Sequence, residues 1–100
     1  MITTWPVERI ETEKRRLTVL QYLADVPGYE ASSHILTLDC RRRGVPTSVD
    51  QMTGALAWLQ EQELLTLRRA GADYVARVTQ RGCEAADGTI HVPGVLRPDP

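Results

Sequence analysis

The spacing of the apolar residues changes once along this chain, and that change limits the folds it can adopt. Before residue 64, apolar side chains recur at steps of three, four and seven residues, which is typical of amphipathic helices. From Leu64 to Thr79 they tend to alternate with polar ones, which is typical of strands. The sequence therefore predicts an α+β fold in which helices come first and a β-hairpin follows.

Three helices are predicted before the change. The first covers residues 7–25 and ends before a Pro-Gly pair. The second covers residues 33–43, with Ser32 as its N-cap and Gly44 as its left-handed end. The third runs to Gln62. The residues expected to face the core are Val7, Ile10, Leu17, Leu20, Leu23 and Ala24, then Ile35, Leu36, Leu38 and Cys40, then Met52, Ala55, Leu56 and Leu59. The residues of the first helix expected to be solvated are Glu11, Glu13, Lys14, Arg15 and Arg16.

The alternating segment predicts a hairpin, and a short helix and a tail follow it. The strands are expected at residues 64–69 and 74–79, with a turn at 70–73 between them. A short helix is expected over residues 80–86, ended by Gly88. Three prolines after residue 90 favour an extended tail.

This order of elements is that of a winged helix-turn-helix. In that fold three helices form the core, the third is presented to the major groove of DNA, and the hairpin is a wing over adjacent phosphates. We expect residues 1–88 to form this domain and residues 89–100 to form the extended tail. A three-helix bundle with an unrelated hairpin would have a similar pattern.

The charge of the chain limits how such a fold can meet nucleic acid. Its 100 residues carry 12 basic and 13 acidic side chains, which leaves a net charge of −1. DNA-binding modules usually carry an excess of positive charge, because phosphate neutralisation supplies most of their non-specific affinity. Any basic surface on this chain must therefore be local.

Arginines cluster on both sides of the third helix in the sequence. Arg41, Arg42 and Arg43 precede it, and Arg68 and Arg69 follow it on the hairpin. A winged helix contacts backbone phosphates at such positions, so we expect these five side chains to bind duplex DNA. The alternative is that the arginines are solvated and paired locally. The carboxylates considered for that pairing are Asp39, Asp73 and Glu84.

The third helix itself contributes no cation. Gln51 and Thr53 are expected to face the groove, with Gln51 able to bind adenine, and Thr47 or Ser48 is expected to bind phosphate. The stretch Thr47-Ser48-Val49-Asp50 offers two candidate N-caps, and Asp50 lies three residues after Thr47, the spacing of a capping box. The residues expected on the exposed face are Asp50, Thr53, Gly54, Ala57 and Glu61, with Gln51 at its flank.

The residues suited to metal binding or nucleophilic catalysis are scattered. A metal sensor needs thiolates or imidazoles clustered at ligand spacing, so we expect no metal and no cofactor. The sequence has no Gly-rich phosphate loop, and no third group is positioned beside Cys83 and His91, so we expect no enzyme activity. We expect Cys40 to be a small core residue and His34 to be exposed.

The cysteines and the short apolar runs indicate in which cellular compartment we expect the protein, the cytoplasm. Two cysteines in no paired motif are typical of the reducing cytosol. The apolar runs are only a few residues long, and the N-terminus lacks the pattern of a signal peptide. We therefore expect a cytoplasmic protein that does not enter membranes.

Four segments of the chain carry a resemblance to known proteins. They are Arg15-Arg16-Leu17; Asp25-Val26-Pro27-Gly28-Tyr29; Ala57-Trp58-Leu59-Gln60-Glu61-Gln62; and Thr79-Gln80-Arg81-Gly82 with the later Val92-Pro93-Gly94-Val95 and Arg97-Pro98. These segments resemble those of a family of small proteins from Mu-like transposable phages and prophages, often labelled ArsR-type regulators. The resemblance covers nearly the whole chain and implies a winged-helix fold and a DNA-binding, regulatory role. Relatives tend to carry arginines early in the third helix, whereas residues 48–53 of this chain contain none.

A second class of function stays open, a protein-interaction module in phage assembly. Under this hypothesis the third helix and the apolar tail contact another subunit. If the tail does not bind a partner, we expect it to lie along its own domain. Trp58 is expected to pack under the wing, and Trp5 to cover the bundle or a second subunit. A homodimer is a further hypothesis, because winged-helix regulators commonly dimerise.

Overall fold

Within residues 7–99, which the computed structural model describes, the chain forms four α-helices and a three-stranded antiparallel sheet. The elements are α1 (Val7–Asp25), β1 (Glu30–Ser32), α2 (Ser33–Arg42), α3 (Val49–Glu61), β2 (Leu65–Ala70), β3 (Asp73–Val78) and α4 (Gln80–Asp87), with a 3-10 turn at Pro27–Tyr29. The strand order is β1-β3-β2. The hairpin of β2 and β3 is the wing, and the predicted α+β winged-helix class is confirmed.

The pattern of apolar residues does not predict β1. This strand has only three residues, all half-buried, so it shows too little alternation to be recognised. Its pairing with β3 places Glu30 opposite Arg77 and Ser32 opposite Val75. β1 therefore extends the wing into a sheet and brings a carboxylate beside its arginines.

The wing is tighter than predicted. Ala70 pairs with Asp73, so the turn consists of Gly71 and Ala72 alone. Gly71 has a φ of +62°, a conformation that two-residue hairpin turns require and that glycine adopts without strain. The wing consequently ends in a blunt tip with no long loop.

The core is formed by one face of each helix and the inner face of the sheet. The predicted core of the third helix is correct, and that of the first helix is correct for its leucines. Cys40 is fully buried, as expected. The largest fully buried side chains include Leu17, Leu20, Leu23, Leu36, Met52, Leu56, Leu59, Leu64 and Leu65.

Four residues predicted to lie in the core are exposed instead: Val7, Ile10, Ile35 and Leu38. Val7 and Ile10 lie in the first turn of α1, all of which is exposed to solvent. The buried face of α2 includes polar side chains. A prediction based on apolar residues alone cannot identify such side chains, so it assigned the wrong face of α2 to the core. The buried residues of α2 are Leu36, Thr37, Asp39 and Cys40.

The N-cap of α3 is Ser48. Its hydroxyl accepts a hydrogen bond from the Gln51 amide at 3.0 Å, and Gln51 Oε1 accepts one from the Ser48 amide at 2.9 Å. These two bonds form a capping box. The predicted box of Thr47 and Asp50 was wrong by one position, because Thr47 is turned into the interior. The predicted N-cap of α2, Ser32, is confirmed.

The C-terminal tail packs along the domain and adds Val92 and Val95 to its core. Arg16 NH1 donates a hydrogen bond to the Gly94 carbonyl at 2.9 Å, and the same guanidinium lies 3.9 Å from the centre of the Trp58 ring. Trp58 thus packs between α1 and the tail, and the expectation that it packs under the wing was wrong. Three of the segments that carry the family resemblance, residues 15–17, 57–62 and 92–95, therefore contact one another around the Trp58 ring.

Two further expectations concern the ends of the chain and the membrane. Trp5 lies outside the described residues, as does Pro100. Across residues 7–99, no helix combines the length and the apolar character needed to cross a bilayer.

Candidate nucleic-acid interface

The outer face of α3 is open to solvent. A Cβ placed on Gly54, in the middle of this face, would meet nothing within 4 Å. The residues that the sequence predicts to be exposed on this helix are exposed, and so are Val49 and Gln60. The predicted residues are Asp50, Gln51, Thr53, Gly54, Ala57 and Glu61. The face is therefore flat, built largely of small side chains, and its own charges are negative.

A groove of about 300 Å³, the wing groove, separates α3 from the wing. Thr53, Ala57 and Gln60 line it from the helix, and Leu67, Arg69 and Tyr74 line it from the strands. Arg69 NH1 donates to the Tyr74 hydroxyl at 3.2 Å, and the guanidinium lies 5.3 Å from the centre of the Tyr74 ring. These contacts hold the Arg69 cation in the wing groove, beside the open face.

A smaller groove of about 160 Å³, the helix groove, lies between α2 and the first turns of α3. Arg41 lines it, and its Nε donates to the Thr47 carbonyl at 2.9 Å. Thr53 lines both grooves, so Arg41 and Arg69 approach the same helix face from two sides. Among residues 7–99, neither of these two arginines forms an ion pair.

Arg42 and Arg43 are bound to one carboxylate. Arg42 NH2 lies 2.6 Å from Asp39 Oδ1, and Arg43 Nε lies 3.0 Å from Asp39 Oδ2. The Asp39 side chain is only 4% exposed, so its charge requires this compensation. Arg43 also lines a cavity of about 820 Å³ that has no lining residue from α3. Of the three consecutive arginines predicted to bind phosphate, Arg41 is the one placed in a groove beside α3.

Glu30 of β1 binds two arginines of the wing. Arg68 NH1 and NH2 donate to its two carboxylate oxygens, each at 3.2 Å, and Arg77 NH1 lies 3.7 Å from Oε1. The hydrogen bond from Arg68 is the main reason that the pKa of Glu30 lies below its ordinary value. Arg68 was predicted to bind phosphate, and the structure shows it already engaged with an acid.

The prediction of local ion pairs is therefore correct for one carboxylate. Asp39 pairs with two arginines as expected, but within the described chain Asp73 and Glu84 form no ion pair. Arg68 and Arg77 of the wing pair instead with Glu30, which is 38 residues from Arg68. Sequence proximity does not indicate this partner, because the contact depends on the pairing of β1 with β3.

Thr47, predicted as a phosphate ligand, lies inside the protein. Its Oγ1 accepts a hydrogen bond from Arg15 Nε at 3.0 Å and donates one to the Val45 carbonyl at 2.9 Å. Arg15 NH2 also donates to the Pro46 carbonyl at 2.6 Å. Arg15, expected to be solvated, is 3% exposed and supports the turn before α3. A signal was present in the sequence, since Arg15 lies four residues before the buried Val19 and so on the same helix face.

The side chains of α3 expected to face DNA are bonded within their own helix. Ser48 and Gln51 form the capping box described above. Thr53 Oγ1 donates to the Val49 carbonyl at 3.1 Å. All three residues are exposed, so they lie at the surface as predicted, but part of their hydrogen-bonding capacity is already used.

The cysteines and histidines lie apart. Burial raises the pKa of Cys40 to about 11, and Cys83 is half-buried. His34 is exposed as expected, and so is His91. In the part of the chain that the structure describes, no three His, Cys, Asp or Glu side chains gather into a group that would hold a metal ion.

Comparison with known proteins places the chain among phage proteins. No protein-family model matches it. It is similar to an uncharacterized protein of Haemophilus influenzae strain Rd, with 39% identity over 71 residues, which is 70% of this chain and 69% of that protein. It is also similar to the uncharacterized protein gp26 of Escherichia phage Mu, with 38% identity over 94 residues, covering 94% of this chain and 97% of gp26. The chain therefore belongs to the protein family that includes gp26 of phage Mu.

Proposed function

We propose that this protein is a non-enzymatic, duplex-DNA-binding winged helix, with α3 in the major groove and Arg41 and Arg69 on the flanking phosphates. The observation that carries the proposal is the placement of these two arginines, free of ion pairs within residues 7–99, on two sides of one open helix face. A helix in the groove with cations at its flanks is the contact pattern of this fold. We extend the proposal to regulation of phage transcription by analogy of fold alone.

The charges near α3 predict weak, salt-sensitive binding. Two arginines on phosphates correspond to a slope of about −2 in a plot of log K against log salt concentration. Asp50 and Glu61 on the same face repel phosphate and lower the affinity further. We expect a Kd of about 1–100 μM at physiological salt, the range of non-specific complexes, and a lower Kd at low salt.

Fluorescence anisotropy of a labelled duplex tests the proposal. Titrations at several salt concentrations should give the slope of about −2, and Arg41→Ala or Arg69→Ala should each reduce its magnitude by about 1. The control is Arg97→Ala, which removes one exposed cation from the tail, where Arg97 lines a groove with Asp87 of α4. Its slope should match that of the wild type.

Two results would contradict the proposal. One is absence of binding by the wild-type protein at micromolar concentration in low salt. The other is an equal loss of affinity in Arg97→Ala and in the two groove variants, because that would attribute binding to overall charge.

A second candidate function, a protein-interaction module, is favoured by one observation. Leu38 and Val49 both line the helix groove and are 43% and 70% exposed, an apolar pair on the surface proposed for DNA. If this pair binds a second copy of the chain, the protein should associate with itself in solution without DNA. Light scattering over a concentration series would show it, and the double variant Leu38→Ser, Val49→Ser should remove it.

A further inference from the structure

We infer that this protein binds duplex DNA without selecting a base sequence, an inference that rests on the function proposed above. Readout in the major groove depends on side chains that offer two hydrogen-bonding groups at once, such as Gln to adenine or Arg to guanine. In the described structure, the side chains of α3 suited to such contacts are committed elsewhere. The substrate class is therefore the duplex backbone in general.

The two glutamines exposed on α3 both use their oxygen atoms within the protein. Gln51 Oε1 accepts from the Ser48 amide at 2.9 Å, and Gln60 Oε1 accepts from the Leu67 amide of the wing at 2.9 Å. Each keeps its Nε2 as a donor. A paired contact with the N6 and N7 atoms of adenine would need the same oxygen to accept a second hydrogen bond. The first bond fixes the orientation of each amide toward its own partner in the protein, so neither glutamine is free to turn to adenine.

The remaining polar groups of the face are equally limited. The Thr53 hydroxyl donates its proton to the Val49 carbonyl, and the Ser48 hydroxyl accepts from the Gln51 amide. Gly54 and Ala57 contribute no polar side-chain atom. No arginine or lysine occurs between residues 48 and 62, so α3 has no side chain for the guanine contact.

Asp50 is the remaining side chain of α3 that could select a base, so the test of the inference centres on it. It is exposed in the first turn of α3, and a carboxylate there can accept a hydrogen bond from the amine of cytosine. The same carboxylate repels the phosphates on either side of the groove. We assign Asp50 the second effect only, so its removal should strengthen binding to every duplex alike.

The test measures Kd for a panel of labelled duplexes of equal length, one rich in A·T, one rich in G·C and one of mixed sequence. The wild-type affinities should agree within about tenfold, since no paired base contact is available. Asp50→Ala, which removes the charge without adding a hydrogen-bond donor, should lower all Kd values by a similar factor of about two to five. Glu8→Gln, the same charge change in the exposed first turn of α1, is the control and should have a smaller effect.

The outcomes separate this inference from the function beneath it. A preference above tenfold for one duplex, or a specific loss of binding to G·C-rich duplexes in Asp50→Ala, overturns the inference and leaves the DNA-binding function standing. Failure to bind any duplex at low salt overturns both. Uniform affinities with a uniform gain in Asp50→Ala support both.

Discussion

Arg15 is a charged residue that acts as part of the core. Its guanidinium is buried and donates to Thr47 Oγ1 and the Pro46 carbonyl, two groups of the turn between α2 and α3. Burial of a cation is costly unless its hydrogen bonds are made, and burial of a backbone carbonyl without a donor is costly too. The hydrogen bonds between Arg15 and the turn avoid both costs, so Arg15 fixes the turn from which α3 starts.

Loss of the Arg15 side chain should destabilise the protein markedly. Arg15→Ala leaves Thr47 and the Pro46 carbonyl without their donor and opens a cavity, so we expect a loss of about 2–4 kcal/mol in the free energy of unfolding. Urea denaturation followed by circular dichroism measures it. The control is Arg9→Ala, whose ion pair with Glu13 is at the surface and should contribute less than about 1 kcal/mol. Equal stability of the two variants would show that the Arg15 contacts have no net effect.

At the scale of elements, a layered contact joins α1, α3 and the tail. Trp58 of α3 lies with one ring face on the Arg16 guanidinium, and Gly94 of the tail approaches the same ring. Gly94 has a φ of +99°, and a Cβ there would lie 2.5 Å from Trp58 Cζ2. Only glycine satisfies both the backbone angle and the spacing, so the tail is held by a contact that tolerates no side chain.

Two glycine-to-alanine variants should have opposite effects on stability. Gly94→Ala should destabilise the fold by about 1–3 kcal/mol through strain and overpacking against Trp58, and tryptophan fluorescence should change with it. Gly54→Ala should stabilise it by about 0.5–1 kcal/mol, because Gly54 lies in a helix interior with open space around it. Thermal unfolding of both variants measures the difference. A Gly94→Ala protein as stable as the wild type would mean that the tail does not pack on Trp58.

At the scale of the whole molecule, acids hold many of the arginines in place. Asp39 binds two of them and Glu30 binds two more, while Asp50 and Glu61 add negative charge to α3. Arg41 and Arg69 line the grooves beside the open helix face without an ion pair in residues 7–99, whereas Arg68 lines the wing groove while paired with Glu30. A chain with a net charge of −1 achieves only a broken basic surface, which is why we expect weak binding.

Glu30→Gln should strengthen DNA binding if the wing approaches phosphate. The variant keeps the size of the side chain but removes the charge that holds Arg68 and Arg77, so the salt slope should steepen by about 1. Glu8→Gln, with the same change in net charge on α1, should leave the slope unchanged. An unchanged slope in Glu30→Gln would place the outer face of the wing away from the DNA. The lowered pKa of Glu30 keeps it ionised at neutral pH, so a buffer near pH 7 suits the comparison.

Much of the architecture could be predicted because it depends on neighbours in sequence. Helix boundaries follow from spacing and caps, and the exposed face of α3 follows from its apolar arc. Predictions failed where a polar residue took an interior position, as Thr37 and Asp39 do on α2. They also failed for β1, which is a strand only because β3 provides its partner.

The sequence alone determined the order of helices and strands and the positions of the arginines, since both depend on chemistry within a few residues. The pairing of Asp39 with Arg42 and Arg43 within four residues belongs to the same class. Only the tertiary structure decided which distant groups the other arginines contact. The contacts join residues 32 apart for Arg15 and Thr47, 38 apart for Arg68 and Glu30, and 78 apart for Arg16 and Gly94. Charge attraction is not tied to distance along the chain, so the folded packing selects the partners and leaves Arg41 and Arg69 beside α3.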